Sequence, residues 1–248
     1  MISALIRKNK KKISTALSYF VVLLVLIVNI LFTVFLVNDR FYSYIVYGSN
    51  EQVKQLFTKY NHKYYNIITG SNPLLASVMF ERDKEIIEFF IDKGDDVNIE
   101  NYFGITPLSY AVTEASSDVV DLLIKNGADV NFKSRNKHKS TLLMDTIILN
   151  KNSENKEKIV ELLINAGADV NALSSSGGTA LSYASLIYNN KGEAPYKDRS
   201  ITLRTIELLL EAGANPFLKS VGGALSQYEV AQNFKNTELI NLFEKYIP

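Results

Sequence analysis

The apolar positions of this chain follow two different patterns. From Ile13 to Asn38 there is no charged residue, and residues 19–37 read YFVVLLVLIVNILFTVFLV. About 20 such residues, rising 1.5 Å each in a helix, cross a hydrocarbon core of about 30 Å. The segment therefore predicts one membrane-spanning helix over 13–38. Beyond Asp39 the apolar residues come in short clusters with helical spacing: EIIEFFI at 85–91, VVDLLI at 119–124, IVELLI at 159–164 and IELLLE at 206–211. Each cluster is preceded by a second short run and followed by a glycine word: GDDVN at 94–98, GADVN at 127–131 and again at 167–171, and GANPF at 213–217. The glycines lie 33, 40 and 46 residues apart. A word returning at this interval predicts an array of paired-helix repeats.

The best-defined copy is residues 104–131, GITPLSYAVTEASSDVVDLLIKNGADVN. The Thr106 hydroxyl is placed to cap a first helix, and Pro107 sits at its first position, where a missing N–H costs nothing. Leu108 and Ala111 face one side, the small alanine allowing close approach of a second helix. Val119, Val120, Leu122 and Leu123 give that second helix its apolar stripe. Gly127 suits the left-handed residue just past a helix end. Asp129 and Asn131 then open a hairpin-like finger.

This segment resembles the ankyrin repeat, whose T-P-L-H-x-A box and 33-residue period it follows. The other copies depart in stated ways. NPLLAS (72–77) has Ser77 for the alanine. TLLMDT (141–146) has Leu142 for the proline and Thr146 for the alanine. About two extra finger residues and about five between its helices account for the spacing of 40. TALSYA (179–184) carries an insertion of about 13 residues around YNNKGEAPYKDRS, which accounts for 46. SQYEVA (226–231) with TELINLF (237–243) reads as a last repeat, and YGSNEQVKQLF (47–57) as the second half of a first. The resemblance thus implies an all-α ankyrin-repeat solenoid of about six repeats over 39–248, preceded by one transmembrane helix. The expected organisation is a basic segment over 1–12, the anchor over 13–38 and the array over 39–248.

Charge orients the anchor. Residues 1–12 hold Arg7, Lys8, Lys10, Lys11 and Lys12 and no acid, whereas only Asp39 and Arg40 follow the span closely. The positive-inside rule places the N-terminus in the cytoplasm and the array on the far side. The exit FLVNDRFYSY offers no small-residue cleavage site, so a single-pass, uncleaved signal anchor is expected. The other 22 basic residues face 26 acidic ones, and this excess of acid gives no bulk attraction to nucleic acid.

Candidate chemistry is sparse. There is no cysteine, hence no disulfide and no thiolate site. His62 and His138 lie far apart and in no metal spacing, and neither a G-x-S-x-G elbow nor a phosphate-binding G-x-x-x-x-G-K-[ST] loop occurs. No catalytic, cofactor or metal residue is assigned. None of the 23 asparagines lies in an N-x-[ST] sequon, which favours a bacterial inner membrane with a periplasmic array over a glycosylating compartment.

The resemblance implies a protein partner on the concave face and the finger tips. Carried over position by position, the contact residues are Asn101, Tyr102 and Phe103 on one finger. Lys133, Arg135, Asn136, Lys137 and Lys139 lie on the next, and Ser174 and Ser175 on the third. On the inner helices they are Val112 and Thr113, Ile147 and Ile148, and Ser185 and Leu186. Tyr102 and Phe103 are aromatics of the kind that anchor interfaces. FKSRNKHK (132–139) is a basic prong suited to an acidic partner surface or to lipid phosphates. The function expected is that of a non-enzymatic binder, in its most specific form an immunity protein capping a toxic effector such as a lipase. The alternatives are a structural adaptor of an envelope or secretion complex and a cytosol-facing ankyrin adaptor.

Overall fold

The computed structural model describes residues 23, 26, 27, 43–59, 70–114, 116–133, 139–149, 153–190, 202–219 and 225–246. The expected anchor over 13–38 lies outside these, apart from Leu23, Leu26 and Ile27, which are helical and exposed. Among the described residues no helix is long and apolar enough to cross a membrane. The chain divides into two compact units, Met1–Tyr65 and Asn66–Pro248.

The first unit contains helix α1, Asn50–Lys59, with Val53 and Phe57 buried. Ser49 and Gln52 close its N-terminus reciprocally: Gln52 N donates to Ser49 Oγ, and Ser49 N to Gln52 Oε1. This is the half-repeat expected around 47–57.

The second unit holds five helix pairs: α2 (Pro73–Met79) with α3 (Lys84–Asp92), α4 (Pro107–Glu114) with α5 (Ser117–Lys125), α6 (Leu142–Leu149) with α7 (Ser153–Asn165), α8 (Ala180–Asn189) with α9 (Leu203–Glu211), and α10 (Gln227–Asn233) with α11 (Thr237–Glu244). Within each pair the two helices pack together. Between pairs, α2, α4, α6, α8 and α10 stack as an inner row, and α3, α5, α7 and α9 as an outer row. The described residues contain no β-strand, only an isolated antiparallel bridge between Lys133 and Thr141.

Why the inner helices pack so closely is visible at the fifth residue after each cap. Ser77, Ala111, Thr146, Ala184 and Ala231 are all small and all fully buried. The two polar departures are satisfied locally, since Ser77 Oγ donates to Leu74 O and Thr146 Oγ1 to Leu142 O, both at 2.8 Å. The caps behave as their residue types dictate. Asn72, Thr106, Thr141, Thr179 and Ser226 each accept a backbone N–H three residues on. The third outer helix has 13 residues against 9 in the other three, so part of the insertion before it is helical. There Lys156 is fully buried, and its Nζ donates to the Ile147 carbonyl in the last turn of α6.

The recurring glycine word has a mechanical explanation. Gly94, Gly127, Gly167 and Gly213 all have φ between +86° and +90°, and the amide after each glycine donates back to the carbonyl five residues earlier. This is the Schellman ending of a helix, and only glycine enters it without strain. Two residues past the glycine, the side-chain oxygens of Asp96, Asp129, Asp169 and Asn215 each accept the amide two residues further on. The final asparagine reaches across to the next repeat. Asn98 Nδ2 donates to Gly127 O (2.9 Å) while its Oδ1 accepts Asp129 N–H (2.8 Å). Asn131 does the same with Gly167 and Asp169, and Asn171 with Gly213 and Asn215.

This asparagine ladder ends where the word changes. Phe217 replaces the asparagine and packs on Tyr228, ring centroids 5.2 Å apart. The variant aspartate in GDDVN also has a use, because Asp95 Oδ2 accepts the Leu74 amide in the first turn of α2 (2.9 Å). At the other end of the unit, Tyr188 donates to Glu238, and Asn236 Nδ2 donates to Asn189 Oδ1, tying α8 to α11.

Candidate functional site

Counting from each cap, positions two, five and six of an inner helix share one face, and positions four, seven and eight share another, as a 3.6-residue period requires. The first face is the core: Leu74, Leu108, Leu143 and Leu181 at position two are 0–1% exposed. The second face is open at most of its positions, although Ala76 and Asp145 at position four and Ile187 at position eight are buried. It carries Tyr110, Thr113 and Glu114 on α4, Asp145, Ile148 and Leu149 on α6, and Tyr183 and Leu186 on α8. Leu149 is 48% exposed, and Phe80 and Phe234, at the equivalent eighth position of the first and last pairs, are 42% and 52% exposed.

This register corrects part of the carried-over contact set. Val112, Ile147 and Ser185 occupy position six and are fully buried, so they are packing residues rather than accessible contacts. Thr113, Ile148 and Leu186, one residue on, are partly exposed and lie on the open face. On the fingers, Tyr102 and Phe103 are 71% and 76% exposed. Asn101 is buried instead. Its Oδ1 accepts both the Phe103 and Ile105 amides, which makes it the organiser of the turn that projects the two aromatics. The Tyr102 ring lies over Gly70, where an added Cβ would come within 2.9 Å of it.

On the third finger, Ser175 is exposed, whereas Ser174 is buried and repeats the role of Asn101 through a 3.1 Å bond from Gly178 N. Lys133 and Lys139 are exposed on the basic finger. Arg135, Asn136 and Lys137 lie outside the described residues.

Polar groups on the open face form a short row that the sequence did not single out. Tyr183 has its hydroxyl within 3.2 Å of Ser174 Oγ and 3.1 Å of Ser176 Oγ, and its ring covers Gly178. Burial pushes the Tyr110 hydroxyl pKa up, reinforced by the charges of Glu114 and Glu81. Asp145 is 9% exposed, and burial raises its carboxyl above the usual range against an opposing hydrogen bond from Ser140. Their common address, the fourth position after the cap, could have been found by applying the helical period to the box itself. A cleft of about 220 Å³, lined by Val78, Ile87 and Val119 with Glu81, Arg82 and Glu114, opens between the first two helix pairs of this unit.

Among the described residues no group of His, Asp or Glu is placed to hold a metal ion, and His62 and His138 lie outside them. The arrangement provides exposed aromatics, half-exposed aliphatics and a few fixed polar groups on one face. That is the composition of a binding surface.

Comparison with known proteins agrees with the geometry. Residues 42–134 match the family model described as ankyrin repeats in three copies. Two ankyrin repeat proteins of fowlpox virus (strain NVSL) are similar in part. One is 36% identical over 69 residues, covering 27% of this chain and 14% of the relative. The other is 43% identical over 53 residues, covering 21% and 20%. This chain therefore aligns with a fifth or less of the length of each viral relative.

Among solved structures, a chain from the complex of the Bd0816 predatory endopeptidase of Bdellovibrio bacteriovorus with immunity protein Bd3460 is similar at 25% identity and a TM-score of 0.63. That alignment covers 83% of this chain and 96% of the other. The chain thus carries ankyrin repeats, matched in sequence over 42–134 and continued by the same hydrogen-bonded unit as far as Asn215.

Proposed function

We propose that this protein is a non-enzymatic, membrane-tethered binder that neutralises a toxic effector. The observation that carries this reading is the near full-length likeness to a chain from an endopeptidase–immunity protein complex. A helical array whose open face holds aromatics and fixed polar groups corresponds to the inhibitory half of such a pair. The neighbour favours a peptidase over a lipase as the effector.

The uncharged stretch over 13–38 and the five basic residues before it support anchoring in a bacterial inner membrane with the repeats in the periplasm. Contacts would come from Tyr102, Phe103, Thr113, Ile148, Leu186 and Ser175, with the basic finger of Lys133, Arg135, Asn136, Lys137 and Lys139 steering the approach.

The test is affinity capture of the tagged full chain from native membranes, followed by expression of the captured protein with and without it. A captured protein that is toxic alone and harmless in the presence of the chain is expected. One that is harmless alone would sink the immunity reading.

A further inference from the structure

Asp145 stands out among the buried polar residues of the array. It occupies the fourth position after the cap on α6, on the open face. Here the equivalent residues of the other inner helices are Ala76, Tyr110, Tyr183 and Val230. Nothing in the repeat requires an acid there. The carboxyl is 9% exposed and accepts the Ser140 hydroxyl. An ionised carboxylate offers about four acceptor sites, and among the described ion pairs none involves Asp145. A buried carboxylate is ordinarily paired, because desolvation without a counter-charge costs several kcal/mol.

The matching positions on the neighbouring helices have the chemistry of a cation seat. The helices packed on either side of α6 are α4 and α8, and they carry Tyr110 and Tyr183 at the same position. Phenol rings present negative faces that attract ammonium and guanidinium groups. One turn further along α6, Ile148 and Leu149 are partly exposed and suit the aliphatic stem of such a side chain. The exposed lysines of the preceding finger, Lys133 and Lys139, disfavour a generally basic partner surface. A single cation reaching the groove floor, set in an otherwise acidic or neutral surface, satisfies both features.

We propose that Asp145 is the seat for one lysine or arginine side chain of the partner protein, flanked by Tyr110 and Tyr183. This deepens the reading of the array as a protein binder and does not depend on the partner being a toxin. Among the described residues the acid has no cationic partner. It therefore weakens the fold while it fixes the register of binding, a trade found at binding sites generally.

The test uses the full chain, a random dodecapeptide phage library, and two isosteric variants: Asp145→Asn, and Asp121→Asn on the outer row as control. Peptides selected on the wild type should share one lysine or arginine position. Their affinity should fall at least about tenfold on Asp145→Asn and hold on Asp121→Asn, while Asp145→Asn melts at the same or a higher temperature than wild type. Selected peptides without a common basic position, affinity unchanged in Asp145→Asn, or a lower melting temperature for that variant would each overturn the proposal. The co-expression experiment above can fail while this one succeeds, so the two readings fail separately.

Discussion

Replacing Asn131 by alanine removes one rung of the ladder between the second and third helix pairs of the array. Two inter-repeat hydrogen bonds go with it, Nδ2 to Gly167 O at 3.1 Å and Asp169 N–H to Oδ1 at 2.9 Å. A hydrogen bond contributes about 0.5–1.5 kcal/mol net. Asn131 is exposed, so water can reach the orphaned Gly167 carbonyl and Asp169 amide, and the full penalty of burying them does not apply. The expected cost is about 1–2 kcal/mol. With a urea m-value of about 2 kcal/mol/M, the midpoint should fall by about 0.5–1 M. Asn131→Asp keeps an acceptor for Asp169 N–H but turns a carboxylate toward the Gly167 carbonyl, so it should cost at least as much. Asn98 and Asn171 make the same two bonds, and their alanine variants should match Asn131→Ala within about 0.5 kcal/mol and add to it. Urea unfolding followed by circular dichroism gives the costs, and hydrogen exchange should show loss of protection at 167–169 as well as at 129–133. The reasoning is refuted if the three variants differ widely, or if exchange rises only in the repeat that carries the substitution.

Leu123 is fully buried, and Leu123→Ala should cost about 2–5 kcal/mol by the same denaturation assay, through the cavity it leaves. The folded-state pKa of Asp145 is raised by burial, so the folded protein holds that proton more tightly than the unfolded chain, and ionisation removes stability as pH rises. The stability advantage of Asp145→Asn should therefore be absent below about pH 4 and grow as pH climbs through the raised folded value; a difference that stays flat with pH contradicts the assignment. Alkaline phosphatase fused after Lys59 should be active in a bacterial host if the array is periplasmic, and an inactive fusion beside an active cytosolic reporter at the same site would reverse the orientation.

The helix pairs and their caps were legible because each is written in local chemistry: a threonine or proline at a start, a glycine at an end, an apolar stripe between. The cross-repeat bonds of Asn98, Asn131 and Asn171 were not. A sequence shows that Asn131 follows Asp129, but not that its amide faces a glycine 36 residues later. Only the stacking of outer helices makes that pair adjacent. Part of the carried-over contact set is buried for a related reason. The offset carried over from the ankyrin family selected pairs such as Val112 and Thr113, yet on a 3.6-residue helix the first of each pair turns with Leu108 and Ala111 into the core. Asn101 was missed as a turn organiser because its two backbone partners depend on a loop geometry that residue type alone does not specify. Asp145 occupies the variable letter of the box, and only its burial gives it meaning.

The ladder bears on how such an array can change over time. Each rung is complete within one five-residue word and the next, and no rung touches the connection between an inner and an outer helix. The spacings of 40 and 46 residues coexist with rungs of the same geometry as the spacing of 33. Insertions at those connections therefore leave the pitch of the stack unaltered. Selection can rewrite, lengthen or delete them without renegotiating the contacts between neighbours. This separates the part that must hold from the part that is free to vary.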